Sequence, residues 1–329
     1  LMMAGISVKA ALFPLFTWLP KAHGVAQSSI SALLSGLIVK GGLYLFIRIG
    51  FMFQVGPFDT SDIFYTLGAL TAIVGVVFAL SQKNIKMILA YHTVSQVGIM
   101  MMGLSDLEAT MAFYGGLIHV VNHAFFKSLL FLTAGLIIQV YGTKNVLHIR
   151  GVMKSMPFIS IMMIIAMLGI TGAPMFNGYV SKSMLTYGFG EGTIKYYILF
   201  LVNIGTAASF IKVTQIFFGM KKFTYVKNKQ AQYTALFILA FGIILIGNIP
   251  DYLFSDLLNI YSLNVNPYKV SSFATYGMTL GFGALLYYFL VKRDYSFFKR
   301  VRYFDLTFQT ANMLFIIFIA VLSGLVLFL

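Results

Sequence analysis

Gly115-Gly116-Leu117-Ile118-His119-Val120-Val121-Asn122-His123-Ala124-Phe125-Phe126-Lys127-Ser128 is the most polar helix interior in the sequence. It sits inside a run from about residue 108 to 141 that is otherwise apolar and long enough for a membrane helix, which takes roughly 20 residues. His119, His123 and Lys127 follow at i, i+4 and i+8, so they share one helical face over roughly 12 Å of rise. A lysine at the bilayer centre costs on the order of 3 kcal/mol even on lenient scales, so this face is expected to look into a bundle and not into lipid.

The rest of the chain repeats the pattern. Lys9, Lys40, Lys182 and Lys212 also stand inside apolar stretches, and no aspartate or glutamate lies within any of them. With 59% hydrophobic and 10% charged residues, the chain is far outside the range of soluble globular domains. The fold class expected is an all-α polytopic membrane protein. Its ten spans are placed near 1–19, 28–50, 62–82, 86–105, 108–141, 157–190, 193–220, 233–250, 270–291 and 307–329. The absence of cysteine excludes disulfides and thiolate chemistry. Leu1 lies within an apolar run with neither a charged leader nor a cleavage site, as expected of a point inside a longer protein.

A net charge of +14 invites a nucleic-acid reading, and the distribution of the charge answers it. Strict alternation of the loops puts fifteen of the 23 lysines and arginines on one side, from Lys21, Lys83 and Lys86 through Lys144, Arg150 and Lys154 to Lys299, Arg300 and Arg302. Only Arg48, Lys195 and Lys269 fall on the other. By the positive-inside rule the basic loops face the cytoplasm, expected here to be that of a prokaryotic cell. The partner this charge pattern leads us to expect is therefore the lipid bilayer, with no nucleic acid. The basic cluster Lys292 to Arg302 also suits anionic headgroups.

Two spans look interrupted. Pro14 follows Lys9 by five residues, and Gly172-Ala173-Pro174 with Asn177-Gly178 precedes Lys182. Proline removes a backbone donor and frees a carbonyl, and transporters place binding sites at such breaks. A plain proline kink is the alternative. The spacing Lys9 to Lys40, 31 residues, recurs as Lys182 to Lys212, 30 residues, and the topology runs the two pairs through the membrane in opposite senses. That is the pattern of an inverted repeat.

The histidines carry the chemistry at neutral pH, because only imidazole titrates there unperturbed. His119 and His123 with Lys127 form a ladder at relay spacing, and Tyr91-His92-Thr93-Val94-Ser95-Gln96 supplies a second polar belt in the preceding span. Hydrogen bonding between packed helices is the other reading of both. A metal site on His119 and His123 lacks a third acidic or thiolate ligand, so no metal and no cofactor is expected. His23 and His148 fall in basic loops and are given no role.

These residues together resemble a known family. Lys9-Ala10-Ala11-Leu12-Phe13-Pro14-Leu15-Phe16-Thr17-Trp18-Leu19-Pro20-Lys21-Ala22-His23, the segment Ser31 to Lys40, Ile85 to Gln96, His119 to Lys127 and Gly172 to Lys182 are similar to the antiporter-like subunits of respiratory complex I, Mrp-type cation/proton antiporters and membrane-bound hydrogenases. The resemblance covers most of residues 1–220 and fades after about 233. It implies a fragment of a bundle of about fourteen helices, with residues 1–56 ending a first inverted repeat, 57–220 forming the second, and 221–329 adding C-terminal helices. It further implies a path for protons, with sodium as a second candidate ion, through Lys9, Lys40, His119, His123, Lys127 and Lys182, with Lys212 and His92 as less certain members. The family's paired glutamate belongs to a helix absent from this sequence. Lys21 replaces the acidic residue many relatives carry after Trp-Leu-Pro, and lysine at 182 argues against the complex I subunit type that has glutamate there. Any redox chemistry would belong to partner subunits of a quinone-reductase or hydrogenase complex. A non-conducting structural subunit and a stand-alone secondary transporter are the alternatives.

Overall fold

A computed structural model describes residues 2–53, 61–108, 110–220, 230–258, 263, 265–304, 307, 309–317 and 320. The first broken span consists of α1 (Met2–Ala10) and α2 (Trp18–Val25). Next come α3 (Ser28–Leu33), a π turn (Leu34–Ile38) and α4 (Lys40–Phe53), which together make one span. Then follow α5 (Ser61–Ser81), α6 (Ile85–Leu104), the 31-residue α7 (Met111–Tyr141) and the single turn α8 (Val152–Ser155). The second broken span is α9 (Pro157–Thr171) and α10 (Asn177–Phe189). The chain continues through α11 (Ile194–Thr214), α12 (Gln230–Asn248), α13 (Pro250–Leu258), α14 (Val270–Leu286), which ends in a second π turn, and α15 (Ser296–Tyr303).

Seven continuous helices among the described residues are long and apolar enough to cross a membrane, and the two broken pairs add two more spans. Nine of the ten expected spans are therefore present. The tenth, 307–329, lies largely outside the described residues. The protein is an all-α polytopic membrane protein.

Glycines set the closest approach. α5 and α6 meet where Gly75 faces the Ser95 backbone and Gly68 faces Met101 and Met102, so a side chain at either position would collide with main chain. Small residues at such crossings let helices gain the close van der Waals contact that drives association in lipid. α7 runs through the middle, packed by α6, α9, α10, α12 and α3. Its polar residues His119, Asn122, His123 and Lys127 are fully buried, while its ends are capped by Thr110, whose hydroxyl accepts from Phe113 N, and by Gly142 at φ +65°.

Loops assigned to the basic side meet one another. Lys144 Nζ donates to Gly24 O (3.1 Å), Lys86 Nζ to Ala26 O (2.8 Å) and Lys83 Nζ to Asp294 (2.8 Å), while Arg302 grips the same carboxylate and Ser81 O. At the opposite end Lys195 pairs with Asp62 at 2.9 Å.

Candidate functional site

Both breaks are consequences of proline. An uninterrupted helix would bond the amide at 174 to the carbonyl of Ile170, and Pro174 has no N–H to give. α9 stops at Gly172, which adopts φ +82°, and Met175 follows at φ +70° before α10 begins. Lys182 Nζ fills the vacancy by donating to Ile170 O at 2.8 Å. At the first break Pro14 ends α1 in the same way, and Phe13 N donates across to Thr71 Oγ1 at 3.0 Å.

The irregularity beside Lys40 leaves no proline signature. In the π turn Val39 N reaches back five residues to Leu34 O, which displaces neighbouring carbonyls from α-helical register. Lys40 Nζ donates to Ser35 O within that turn and lies 2.6 Å from His123 Nδ1. Ser35 Oγ is 2.8 Å from Thr93 Oγ1, tying the turn to α6. With Lys40 as an ammonium, His123 Nδ1 accepts, and its proton resides on Nε2, which has no partner. In that state the contact is a hydrogen bond from an amine to an imidazole.

Two further knots surround this pair. Lys127 Nζ donates to Leu89 O at 2.5 Å and lies 5.7 Å from the Phe131 ring centre. His119 Nε2 is 3.0 Å from Gln96 Oε1, an atom that only accepts, so Nε2 carries the hydrogen and Nδ1 accepts from Ser181 Oγ at 2.8 Å. Asn122 Nδ2 donates to Ser181 Oγ (3.2 Å) and Asn177 O (2.7 Å), and Asn177 Nδ2 returns a bond to Asn122 O (3.1 Å). Hydrogen bonds therefore run in one direction from Asn122 through Ser181 and His119 to Gln96, linking α7, α10 and α6.

The ladder of the sequence is cross-linked, not longitudinal. His119, His123 and Lys127 share a face, yet each engages a different neighbour: α6 and α10, Lys40, and α6 respectively. His92, stacked on Phe210 at 4.9 Å with neither ring nitrogen partnered, feels the charges of Lys127, Lys212 and Lys182. Beyond Lys182 a cavity of about 600 Å³ opens, lined by Thr171, Tyr179, Thr186, Asn203 and Tyr276 and flanked by Glu191 and by Lys269, which the loop alternation places opposite the basic side.

Three residues fall differently from the sequence reading. Lys9, expected inside the membrane on the path, is exposed on α1, its Cε beside Gly41. The run around it is apolar, but α1 turns Lys9 outward together with Gly5 and Val8. Lys212, a less certain path member, donates to Ala79 O (3.1 Å), Leu80 O (2.8 Å) and Gln82 O (2.7 Å), so it caps the C-terminus of α5, where a cation complements the helix dipole. His23, given no role in a basic loop, is fully buried and stacked on Phe131 at 4.6 Å. Its burial comes from α7, more than a hundred residues away, and no local signal announces it.

Residues 1–212 match the family described as NADH:quinone oxidoreductase/Mrp antiporter, transmembrane. The chain belongs to this family. It is 37% identical to hydrogenase-4 component B of Escherichia coli over 191 residues, 54% of this chain and 28% of that protein. It is 33% identical to a Na(+)/H(+) antiporter subunit of Alkalihalophilus pseudofirmus over 222 residues, 66% of this chain and 45% of that one. The chain thus spans less than half of either relative. The solved structure of the Mrp complex from Dietzia sp. shares its fold with a TM-score of 0.76 at 22% identity, covering 98% of this chain and 37% of that one.

Proposed function

We propose that this chain is part of a cation-translocating subunit of a multisubunit membrane complex and that it conducts protons through Lys40, His123, Lys127 and Lys182, with His119 and His92 between the last two. The observation that carries the reading is the Lys40–His123 contact of 2.6 Å, an amine hydrogen-bonded to an imidazole within the membrane and joining α4 to α7. Each of Lys40, Lys127 and Lys182 is held by a single backbone carbonyl, of Ser35, Leu89 and Ile170. Such an arrangement tolerates the neutral amine as well as the ammonium, as a relay needs. A buried carboxylate partner would hold the charge in place.

The drive is charge displacement. Ammonium groups in a low-dielectric interior repel, so protonating one member disfavours charge on the next, and protons advance stepwise. The cavity beyond Lys182 is the exit, and the basic face is cytoplasmic by the positive-inside rule. Membership of a family whose relatives include an antiporter subunit and a hydrogenase component supports partners of the same kind: other membrane subunits that supply either an ion gradient or redox energy.

The test uses the full-length subunit assembled in its complex in sealed vesicles. Lys40→Met and His123→Gln are each expected to slow driven proton movement more than tenfold with assembly intact. Wild-type rates in both would make this a structural subunit.

A further inference from the structure

His23 is fully buried on α2, and neither Nδ1 nor Nε2 has a hydrogen-bond partner. Buried polar atoms are nearly always paired, so two orphans on one ring call for a reason. Packing does not supply it. The ring stacks on Phe131 with an interplanar angle of 14°, and phenylalanine would make the same contact without orphaning any nitrogen. The imidazole brings to this position two nitrogens that the packing does not use.

Its position bears on their use. Lys127 Nζ lies 5.7 Å from the centre of the Phe131 ring on which His23 stacks, so the two basic groups flank one aromatic side chain. Towards the basic face, the chain just past His23 is closed by two lysines: Lys144 on Gly24 O and Lys86 on Ala26 O. The charged groups acting on the imidazole are Lys127 from α7, Lys86 from α6 and Lys40 from α4, all cationic.

We propose that His23 is the proton-uptake residue of the relay, receiving a proton from the basic face when the Lys86 and Lys144 closures part and passing one to Lys127. This rests on the conduction reading above. In the step, hydronium protonates one ring nitrogen and becomes water, the other nitrogen gives its proton to an intervening water that passes one on to the neutral Lys127 amine, and a neutral imidazole and an ammonium remain. Timing follows from the charges. With Lys127 and Lys40 both charged, a third cation at His23 is opposed; once either has passed its proton on, the opposition falls and His23 refills the relay. Uptake is thereby tied to emptying, which blocks leakage into a full path.

The experiment compares His23→Phe, His23→Ala and Lys182→Ala with wild type in the full-length complex in sealed vesicles. His23→Phe keeps the stack and is expected to assemble normally yet retain less than one tenth of the driven proton movement. In His23→Ala, added imidazole is expected to restore movement, whereas pyrrole, of the same shape without a basic nitrogen, is not. Wild-type rates in His23→Phe, or equal rescue by pyrrole, would overturn the proposal. If Lys182→Ala is inactive while His23→Phe is normal, only this proposal fails; if both are normal, the conduction reading fails with it.

Discussion

Lys212→Met separates a capping lysine from a conducting one. The side chain reaches from α11 to the end of α5 and donates to three carbonyls, Ala79, Leu80 and Gln82, at 2.7–3.1 Å. Methionine keeps the length and the packing and removes every donor. An unsatisfied buried carbonyl costs about 1–3 kcal/mol. Ala79 O also accepts from Gln82 N, so two carbonyls are orphaned; recovering the desolvation cost of the buried ammonium offsets part of this, which favours the lower bound for each and gives a loss of about 2 kcal/mol in all. Arg302 Nε remains on Ser81 O at 2.6 Å, so the end of α5 should loosen without unravelling. For a domain of 150–250 residues each kcal/mol lowers Tm by about 2–4 °C, so a fall of at least several degrees is expected in thermal unfolding of the full-length protein in detergent. Lys212→Arg, which retains donors and charge, should recover most of it. Below the melting range, driven proton movement in Lys212→Met should stay within about twofold of wild type, since no step is assigned to this amine. Unchanged Tm together with lost proton movement would refute the capping argument and return Lys212 to the path.

Other expectations follow from single contacts. Asp294 holds Lys83 and Arg302, whose hydrogen bonds hold its carboxyl down at about 2. Because the folded value is depressed below the ordinary 3.8, the stabilisation is complete above pH 4 and is lost as pH falls through 2. Asp294→Asn should therefore lower Tm at pH 7, with the difference from wild type shrinking once the pH drops below 4. Gly75→Leu would drive a side chain into the Ser95 backbone; overpacking costs about 1–3 kcal/mol or more, read as lower Tm and poorer assembly. Gly178→Ala would place its Cβ on the Gly169 carbonyl oxygen and shift the second break, so proton movement should fall further than Tm does.

Much of this architecture is legible in the sequence for a simple reason. A bilayer demands about 20 apolar residues per helix, so spans and their polar interruptions are local signals. Pro174 marks its break and even identifies the freed carbonyl, Ile170, that Lys182 takes. What the sequence does not display is long-range. The π turn at Leu34–Ile38 arises in an apolar run with no proline, and only the docking of Ser35 on Thr93 distinguishes it. His23 lies between Lys21 and Gly24, a composition that reads as a solvated loop, and Phe131 of α7 buries it. Lys212 looks like the other intramembrane lysines in the sequence because the carbonyls it takes at the end of α5 are about 130 residues away. Side-chain spacing showed which face of α7 is polar, but not that its rungs reach sideways to α4, α6 and α10.

The central claim is that protons cross this subunit by way of buried lysines, and Lys182 is the residue to replace first because it is buried and also lines the open cavity. The measurement is driven proton movement by the full-length complex in sealed vesicles, with Lys182→Ala beside wild type and assembly checked in both. The account predicts that proton movement is lost while the complex stays intact. Wild-type proton movement in Lys182→Ala would contradict it and leave this chain a structural member of the complex.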